Sequence, residues 1–84
     1  MIYQERGEKM FEGSRIKLPN LKIARTYRGL TQSELALKAQ LSLVTISQIE
    51  NGVTATYANT AKKIADALGY EIYQLMSDDE SVLR

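Results

Sequence analysis

The sequence predicts a single all-α domain of five short helices behind a short N-terminal extension. Apolar residues recur at three- and four-residue intervals after about residue 20, glycines follow three of the apolar segments, and hydroxyl residues precede two of them. A chain of 84 residues is long enough for one compact domain and too short for two. We therefore expect an extension at residues 1–14, a folded domain at 15–77 and a frayed acidic tail at 78–84.

The first predicted helix begins near Pro19 and ends at Gly29. Proline suits the first turn because its missing N–H would have no partner there in any case. Glycine favours the helix end because it adopts the left-handed conformation of a C-terminal cap. The apolar face between them consists of Leu21, Ile23, Ala24 and Tyr27.

The second predicted helix opens with a capping box. Thr31 and Glu34 lie three residues apart, so each side chain can accept a hydrogen bond from the backbone N–H of the other. The helical pattern breaks at Gln40-Leu41. The apolar residues expected to face the core are Leu35, Ala36 and Ala39.

A third helix follows, with Ser42 as its N-cap. Ile46 and Ile49 lie three residues apart and are expected to face inward. Asn51 and Gly52 end the helix because both residue types tolerate the left-handed conformation. The second and third helices are thus joined by a tight turn.

Two further helices are predicted beyond a loop. The fourth spans Ala58–Leu68 and stops at Gly69. Its apolar face is formed by Ala61, Ile64, Ala65 and Leu68. The apolar residues of a short fifth helix are Ile72, Leu75 and Met76.

The extension at residues 1–14 has two interpretations, which both stand at this stage. It mixes charged and apolar residues, contains two glycines and shows no clear period. It is either a flexible arm or a short strand that pairs with another copy through Met1–Tyr3.

The composition excludes several classes of site. The chain contains no cysteine and no histidine, so disulfides, thiolate metal sites and the common catalytic triads are ruled out. Asp78, Asp79 and Glu80 are interpreted as solvated charge, because an acidic run in a terminal tail is usually exposed. We expect no enzyme activity, no catalytic residue, no metal ligand and no cofactor.

The sequence also lacks the signals of membrane insertion and export. No apolar run approaches the roughly 18 to 20 residues that cross a bilayer. Residues 1–12 lack the cationic start and apolar centre of a signal peptide. We expect a cytoplasmic protein with no membrane association.

The net charge of +1 is unevenly distributed. Residues 15–63 carry eight Lys or Arg against two Glu, a net charge of +6. The remaining segments carry three cations against eight anions, a net charge of −5. A basic centre between acidic ends suits a polyanionic partner.

One face of the third predicted helix is left free of the core. At about 100° per residue, five of its side chains share an arc of about 140°. Leu43 and Val44 suit contact with thymine methyl groups or burial against a protein partner. Gln48 can bond the edge of an adenine, or it can remain in solvent. The five side chains are Leu43, Val44, Ser47, Gln48 and Asn51.

A set of motifs between residues 21 and 76 carries a family resemblance. The motifs are Arg25, Gly29-Leu30-Thr31-Gln32, Glu34-Leu35-Ala36, Leu41-Ser42, Thr45-Ile46-Ser47, Ile49-Glu50-Asn51-Gly52 and Ile64-Ala65-x-Ala67-Leu68-Gly69. This combination resembles the phage-repressor and Cro-like helix-turn-helix family, also called the Xre family. The resemblance covers about two-thirds of the chain.

The resemblance implies a five-helix, lambda-repressor-like DNA-binding domain whose third helix, residues 42–50, enters the major groove of double-stranded DNA. Arg25 and Glu50 match a pair that forms an internal salt bridge in relatives. Positions that contact bases are matched by Leu43, Val44, Ser47 and Gln48. Positions that contact phosphates are matched by Gln32, Ser42, Thr45, Asn51, Thr54 and Tyr57.

Three features depart from the family pattern. Gln40 stands where relatives usually have a glycine, and a non-glycine residue takes the left-handed conformation only at some cost. The loop after the third helix lacks the proline that is common near Thr56. Residues 1–14 have no counterpart in the minimal domain.

The resemblance implies a sequence-specific transcriptional regulator, with repression as its expected effect, that works at the nucleoid. One recognition helix covers only about four or five base pairs, so a homodimer on a palindromic operator is expected. Candidate dimer surfaces are the N-terminal arm and a fifth-helix set of Tyr70, Ile72, Tyr73 and Met76. The alternative is an antitoxin or adaptor of the same fold that acts through a protein partner, such as a toxin or co-regulator.

Overall fold

Five α-helices form most of residues 15–84, the part of the chain that the computed structural model describes. The helices are α1 (Leu21–Tyr27), α2 (Gln32–Ala39), α3 (Leu43–Glu50), α4 (Ala58–Leu68) and α5 (Ile72–Met76). The other elements are two strands, β1 (Arg15–Ile16) and β2 (Thr56–Tyr57), and a 3-10 turn at Glu80–Leu83. The predicted all-α, five-helix fold is confirmed. The expected arm or pairing strand at residues 1–14 lies outside the described residues.

The helix ends follow largely from the local sequence. At the start of α2, Glu34 N donates to Thr31 Oγ1 over 3.0 Å, and Thr31 N donates to Glu34 Oε1 over 2.8 Å. These two bonds form the predicted capping box and satisfy N–H groups that a first helical turn leaves without partners. After α3 the backbone turns left-handed at Gly52, with φ of 73°, whereas Asn51 stays at −82°. Of the two residues expected to adopt that conformation, only Gly52 does so.

One apolar core lies between the helices. α2 packs against both α3 and α4, and α5 packs against α1 and α4. The buried alanines of α2, Ala36 and Ala39, have short side chains that let neighbouring helices approach closely. The buried apolar residues are Leu18, Leu21, Ala24, Leu35, Ala36, Ala39, Ile46, Ile49, Ala61, Ile64, Ala65, Leu68, Tyr70, Leu75 and Leu83.

The two strands form an antiparallel pair that the sequence analysis did not predict. Arg15 lies opposite Tyr57, and Ile16 lies opposite Thr56. Two-residue strands are too short to show the alternation that identifies a strand in a sequence. The pair fastens the segment before α1 to the loop after α3.

The C-terminal segment packs on the domain, so the prediction of a frayed tail at 78–84 is wrong. Glu80–Leu83 form the 3-10 turn, and Leu83 is buried. The Leu83 carbonyl oxygen accepts a 3.0 Å hydrogen bond from the Tyr70 hydroxyl. The acidic run indicated a solvated tail, but the apolar pair Val82-Leu83 that follows it anchors the segment to the core.

Asn20 joins the start of α1 to the C-terminal part of the chain. It is only 1% exposed, and its Nδ2 donates to the carbonyl oxygens of Gln74 and Asp79 over 3.0 Å each. Its backbone N–H donates to the carbonyl oxygen of Leu75 over 3.1 Å. Because both amide hydrogens have partners, the burial of this polar side chain is compensated.

The turn between α2 and α3 contains a left-handed residue with a side chain. Gln40 adopts φ of 60° and ψ of 45° at the end of α2. For a residue with a Cβ atom this conformation costs roughly 1–2 kcal/mol. Leu41 directly follows; its N–H donates to Ala36 O over 2.8 Å, and its side chain packs against the core. The tight turn therefore forms with local backbone strain.

Gln40→Gly is expected to raise the free energy of unfolding by about 0.5–1 kcal/mol. Glycine removes the left-handed penalty, and its greater entropy in the unfolded chain offsets only part of that gain. In a domain of this size the change corresponds to a rise of roughly 2–8 °C in Tm, measured by thermal unfolding with circular dichroism. Gln40→Ala is the matched control because it keeps the Cβ atom and the strain. Equal stability of the two variants would contradict a left-handed penalty that exceeds the entropy glycine gains in the unfolded chain.

Candidate nucleic-acid interface

The tight turn orients α3 so that one face is buried and the other faces solvent. Ile46 and Ile49 are buried in the core. On the opposite face Leu43 is 46% exposed and Val44 is 63% exposed. We call this solvent-facing surface the α3 face, and its exposed or half-buried side chains are Leu43, Val44, Ser47 and Gln48.

A buried carboxylate lies at the end of α3. The Glu50 side chain is 1% exposed and forms a salt bridge with Arg25 of α1. Arg25 Nη2 donates to Glu50 Oε1 over 3.0 Å, Arg25 Nε donates to Glu50 Oε2, and Arg25 Nη1 donates to Leu30 O over 2.7 Å. The hydrogen bond with Glu50 raises the pKa of Arg25, with burial opposing it, so the guanidinium stays charged. This two-point contact holds α3 against α1.

Gln32, the first residue of α2, is bonded to the same carboxylate. Its Nε2 donates to Glu50 Oε1 over 2.9 Å. A glutamine amide has two N–H donors and one acceptor oxygen, so one N–H and the oxygen remain for an outside partner. The orientation of Gln32 thus depends on a residue of α3. This contact was not predicted from the sequence, because residues 18 positions apart show no local pattern.

Ser42 and Thr45 share a hydrogen bond at the start of α3. Their hydroxyl oxygens lie 2.8 Å apart, and Ser42 Oγ also accepts from Thr45 N over 3.1 Å. Two hydroxyls carry two hydrogens and their mutual bond uses one, so the pair keeps one O–H donor. This donor lies at the N-terminal end of the helix, where the helix dipole favours an anion.

The loop after α3 presents further polar side chains. Asn51, Thr54 and Tyr57 are exposed. Arg15 Nη2 donates to the Tyr57 hydroxyl over 3.0 Å, and the Arg15 guanidinium carbon lies 4.6 Å from the centre of the Tyr57 ring. Arg15 was not predicted to lie beside this loop, because two-residue strands leave no signal in the sequence.

The geometry agrees with the comparisons with known proteins. A helix-turn-helix family model matches residues 21–75, which is more than half of the chain. The chain belongs to the Xre/Cro-like helix-turn-helix family. A crystal structure of a hypothetical transcription factor, NHTF, from Neisseria is similar, with 30% sequence identity and a TM-score of 0.69. The match covers 76% of this chain and 72% of that one.

None of the curated proteins is a significant match to the chain. Family membership makes the chain a DNA-binding helix-turn-helix protein, and α2, the turn and α3 are its helix-turn-helix. Within residues 15–84, no helix is long and apolar enough to cross a membrane. The same residues contain no group of three or more acidic side chains placed to hold a metal ion.

Several cations of this helix-turn-helix protein have interaction partners within the same chain, at buried and exposed positions. Arg25 is paired with Glu50, as described above. Lys62 Nζ lies 3.1 Å from Asp66 Oδ1 on α4. The Arg28 guanidinium carbon lies 4.0 Å from the centre of the Tyr70 ring, and Arg28 also donates to the carbonyl oxygens at the end of α4.

Arg25→Met and Glu50→Met are each expected to lower the free energy of unfolding by about 3–5 kcal/mol. Each leaves a largely buried charge without its partner, whereas the double variant removes both charges and is expected to recover most of the loss. Urea unfolding of the four proteins gives the coupling energy. The exposed pair Lys62–Asp66 is the control, with an expected coupling of about 0.5 kcal/mol or less. Similar coupling in both pairs would contradict the special role of the buried one.

Proposed function

We propose that this protein is a sequence-specific transcriptional repressor that inserts α3 into the DNA major groove as a homodimer on a palindromic operator. The observation that carries the proposal is the α3 face, which is exposed while the opposite side of the helix is buried. An α-helix with its side chains is about 10–12 Å in diameter, which fits a major groove about 12 Å wide. The name of the similar Neisseria structure agrees with this role. Such a protein acts in the cytoplasm, at the nucleoid.

The side chains of the α3 face divide into polar and apolar contacts. Gln48 can bond the N6 and N7 atoms of an adenine at the same time, and such a pair contributes about 1–3 kcal/mol of discrimination. Leu43 and Val44 suit thymine methyl groups because both are exposed and neither needs a hydrogen bond. Ser47 can donate to or accept from a neighbouring base.

Phosphates on the two sides of α3 would be held by different elements. On one side Gln32 offers its remaining N–H, and the pair Ser42 and Thr45 offers its remaining O–H. Contacts of this kind set the orientation of a protein on DNA without reading its sequence. The contacts on the other side of the helix are assigned to Asn51, Thr54 and Tyr57.

The fifth helix supplies a surface for dimer formation. Tyr73 is 67% exposed and Met76 is 47% exposed, and their three-residue spacing puts them on one face of α5. Tyr70 and Ile72, which the sequence analysis grouped with them, are less accessible, since Tyr70 is buried and Ile72 packs against the core. A dimer through α5 would present two copies of α3, and helix-turn-helix dimers bind half-sites one DNA turn, or a multiple of it, apart.

A second candidate function is favoured by an exposed aliphatic residue. Leu37, on the outer side of α2, is 81% exposed, and Val53 in the loop after α3 is also exposed. Burial of such residues against a toxin or a co-regulator would make the protein an antitoxin or adaptor. Binding of a protein partner at Leu37 is compatible with DNA binding by α3.

The protein is expected to bind DNA flanking its own gene about a thousandfold more tightly than a scrambled duplex. Gln48→Ala should reduce this discrimination because it removes the adenine contact. Gln32→Ala should weaken binding to both duplexes alike because it removes a phosphate contact. Fluorescence anisotropy with labelled duplexes at several salt concentrations measures both effects. Gln40→Ala is the control, because it shortens a glutamine that is not assigned to a DNA contact. Gln74 is not suitable, because its amide is hydrogen-bonded within the domain.

Two outcomes would contradict the proposal. Equal, weak binding to both duplexes would remove the sequence-specific regulator and favour the antitoxin or adaptor. Loss of discrimination in Gln40→Ala to the same extent as in Gln48→Ala would place the specificity outside the α3 face.

Tyr73→Glu is expected to convert a dimer into a monomer in analytical ultracentrifugation, because it puts a charge into the proposed apolar contact. Binding to a full palindrome should weaken by about a hundredfold or more, whereas binding to one half-site should stay unchanged. Leu37→Glu places the same charge on an exposed residue of α2 and is the control for oligomeric state. A dimer that survives Tyr73→Glu would move the contact to another surface.

A further inference from the structure

We infer that the segment Arg15–Lys17 forms part of the DNA-backbone contact, with Arg15 and Tyr57 as a joint phosphate site and Lys17 beside it. The inference rests on the proposed DNA-binding function. It adds residues that lie before the region matched by the family model, which begins at residue 21.

The strand pair places this segment beside the loop after α3. Arg15 is opposite Tyr57 in the antiparallel register. Ile16 is half-buried and packs against the core, while its two neighbours, Arg15 and Lys17, are exposed. This alternation anchors the segment through its central side chain and leaves a cation on each side of it in solvent.

Lys17 lies close to the end of the recognition helix. It lines a pocket of about 130 Å³ together with residues from the end of α3 and from the following loop. The residues of the pocket are Lys17, Leu18, Pro19, Ile49, Glu50, Gly52 and Thr54. Because Thr54 belongs to the loop assigned to the DNA backbone, Lys17 lies within reach of the same stretch of phosphates.

The contact between Arg15 and Tyr57 prepares both side chains for a phosphate oxygen. The Tyr57 hydroxyl accepts from Arg15 Nη2, so its own hydrogen is left to donate to another acceptor. The guanidinium carbon lies 4.6 Å from the centre of the Tyr57 ring, which limits the motion of a side chain that is otherwise flexible. A phosphate bound to the hydroxyl would also meet a guanidinium that retains unused N–H donors.

The charges of the proposed contacts support this addition. The phosphate-contacting residues assigned above are Gln32, Ser42, Thr45, Asn51, Thr54 and Tyr57, and all of them are uncharged. Tight binding to DNA draws much of its free energy from release of counterions by Lys and Arg. Arg25 and Lys62 are paired with carboxylates, whereas Arg15 and Lys17 have no ion-pair partner within residues 15–84. These two cations are therefore available to displace counterions.

The test is the salt dependence of DNA binding by the full chain. Each neutralised phosphate contributes about 0.9 to the steepness with which log affinity falls against log salt concentration. A decrease from 1 M to 0.1 M salt therefore raises the affinity about eightfold for each phosphate. Arg15→Gln and Lys17→Gln should each reduce the steepness of this dependence by about 0.9, on specific and scrambled duplexes alike. Arg15→Lys should keep most of the slope because it keeps the charge. Tyr57→Phe should weaken binding without changing the slope.

Arg84→Gln and Lys38→Gln are the matched controls, because they remove the same types of charge from the C-terminal turn and from the far end of α2. The inference is overturned if the variants of Arg15 and Lys17 change the slope no more than these controls. A thermal unfolding curve like that of the unchanged protein rules out misfolding as the cause of a lost slope. If the unchanged protein shows neither preference for the specific duplex nor salt dependence, the proposed function itself fails, which is a distinguishable result.

Discussion

The carboxylate of Glu50 connects the three elements that present the interface. Arg25 from α1 and Gln32 from α2 both donate to it, and Glu50 itself ends α3. A charge with 1% of its side chain exposed is tolerated only when its donors are in place, so packings that separate these helices leave it without a partner. The net stabilisation from such a pair is modest, but the penalty for breaking it is large. The relative positions of α1, α2 and α3 therefore depend on this group as well as on the apolar core.

In the proposed interface, neutral side chains provide specificity for a DNA sequence and charged side chains provide affinity for any DNA. The residues assigned to bases and nearby phosphates are neutral, and the exposed cations Arg15 and Lys17 lie beyond the end of α3. Neutral donors and acceptors discriminate by geometry, because a misplaced hydrogen bond leaves a polar group without a partner. Cations act at longer range and favour any DNA. In this arrangement, affinity and specificity can be changed by substitutions in different elements.

The sequence predicted what is encoded locally. The capping box at Thr31, the N-cap at Ser42 and the apolar spacing of Ile46 and Ile49 all act over three or four residues, and each appears in the structure. The partner of Arg25 was indicated by family resemblance, not by spacing. Contacts between distant residues were missed, as with the strand pair and with Asn20, because they follow from packing and leave no periodic signal. The C-terminal segment was wrongly predicted to be frayed, because its composition is dominated by three acidic residues and only two apolar residues follow them.

The bonds of Asn20 have a consequence for the order in which a growing chain can complete this domain. The side-chain amide needs the carbonyl oxygen of Asp79, which lies 59 residues later. At roughly 5–20 residues per second, a ribosome takes about 3–12 s to synthesise that interval. During this time the amide of Asn20 is satisfied only by water. The hydrogen bond that joins Asn20 to the C-terminal segment can therefore form only after all five helices have been synthesised.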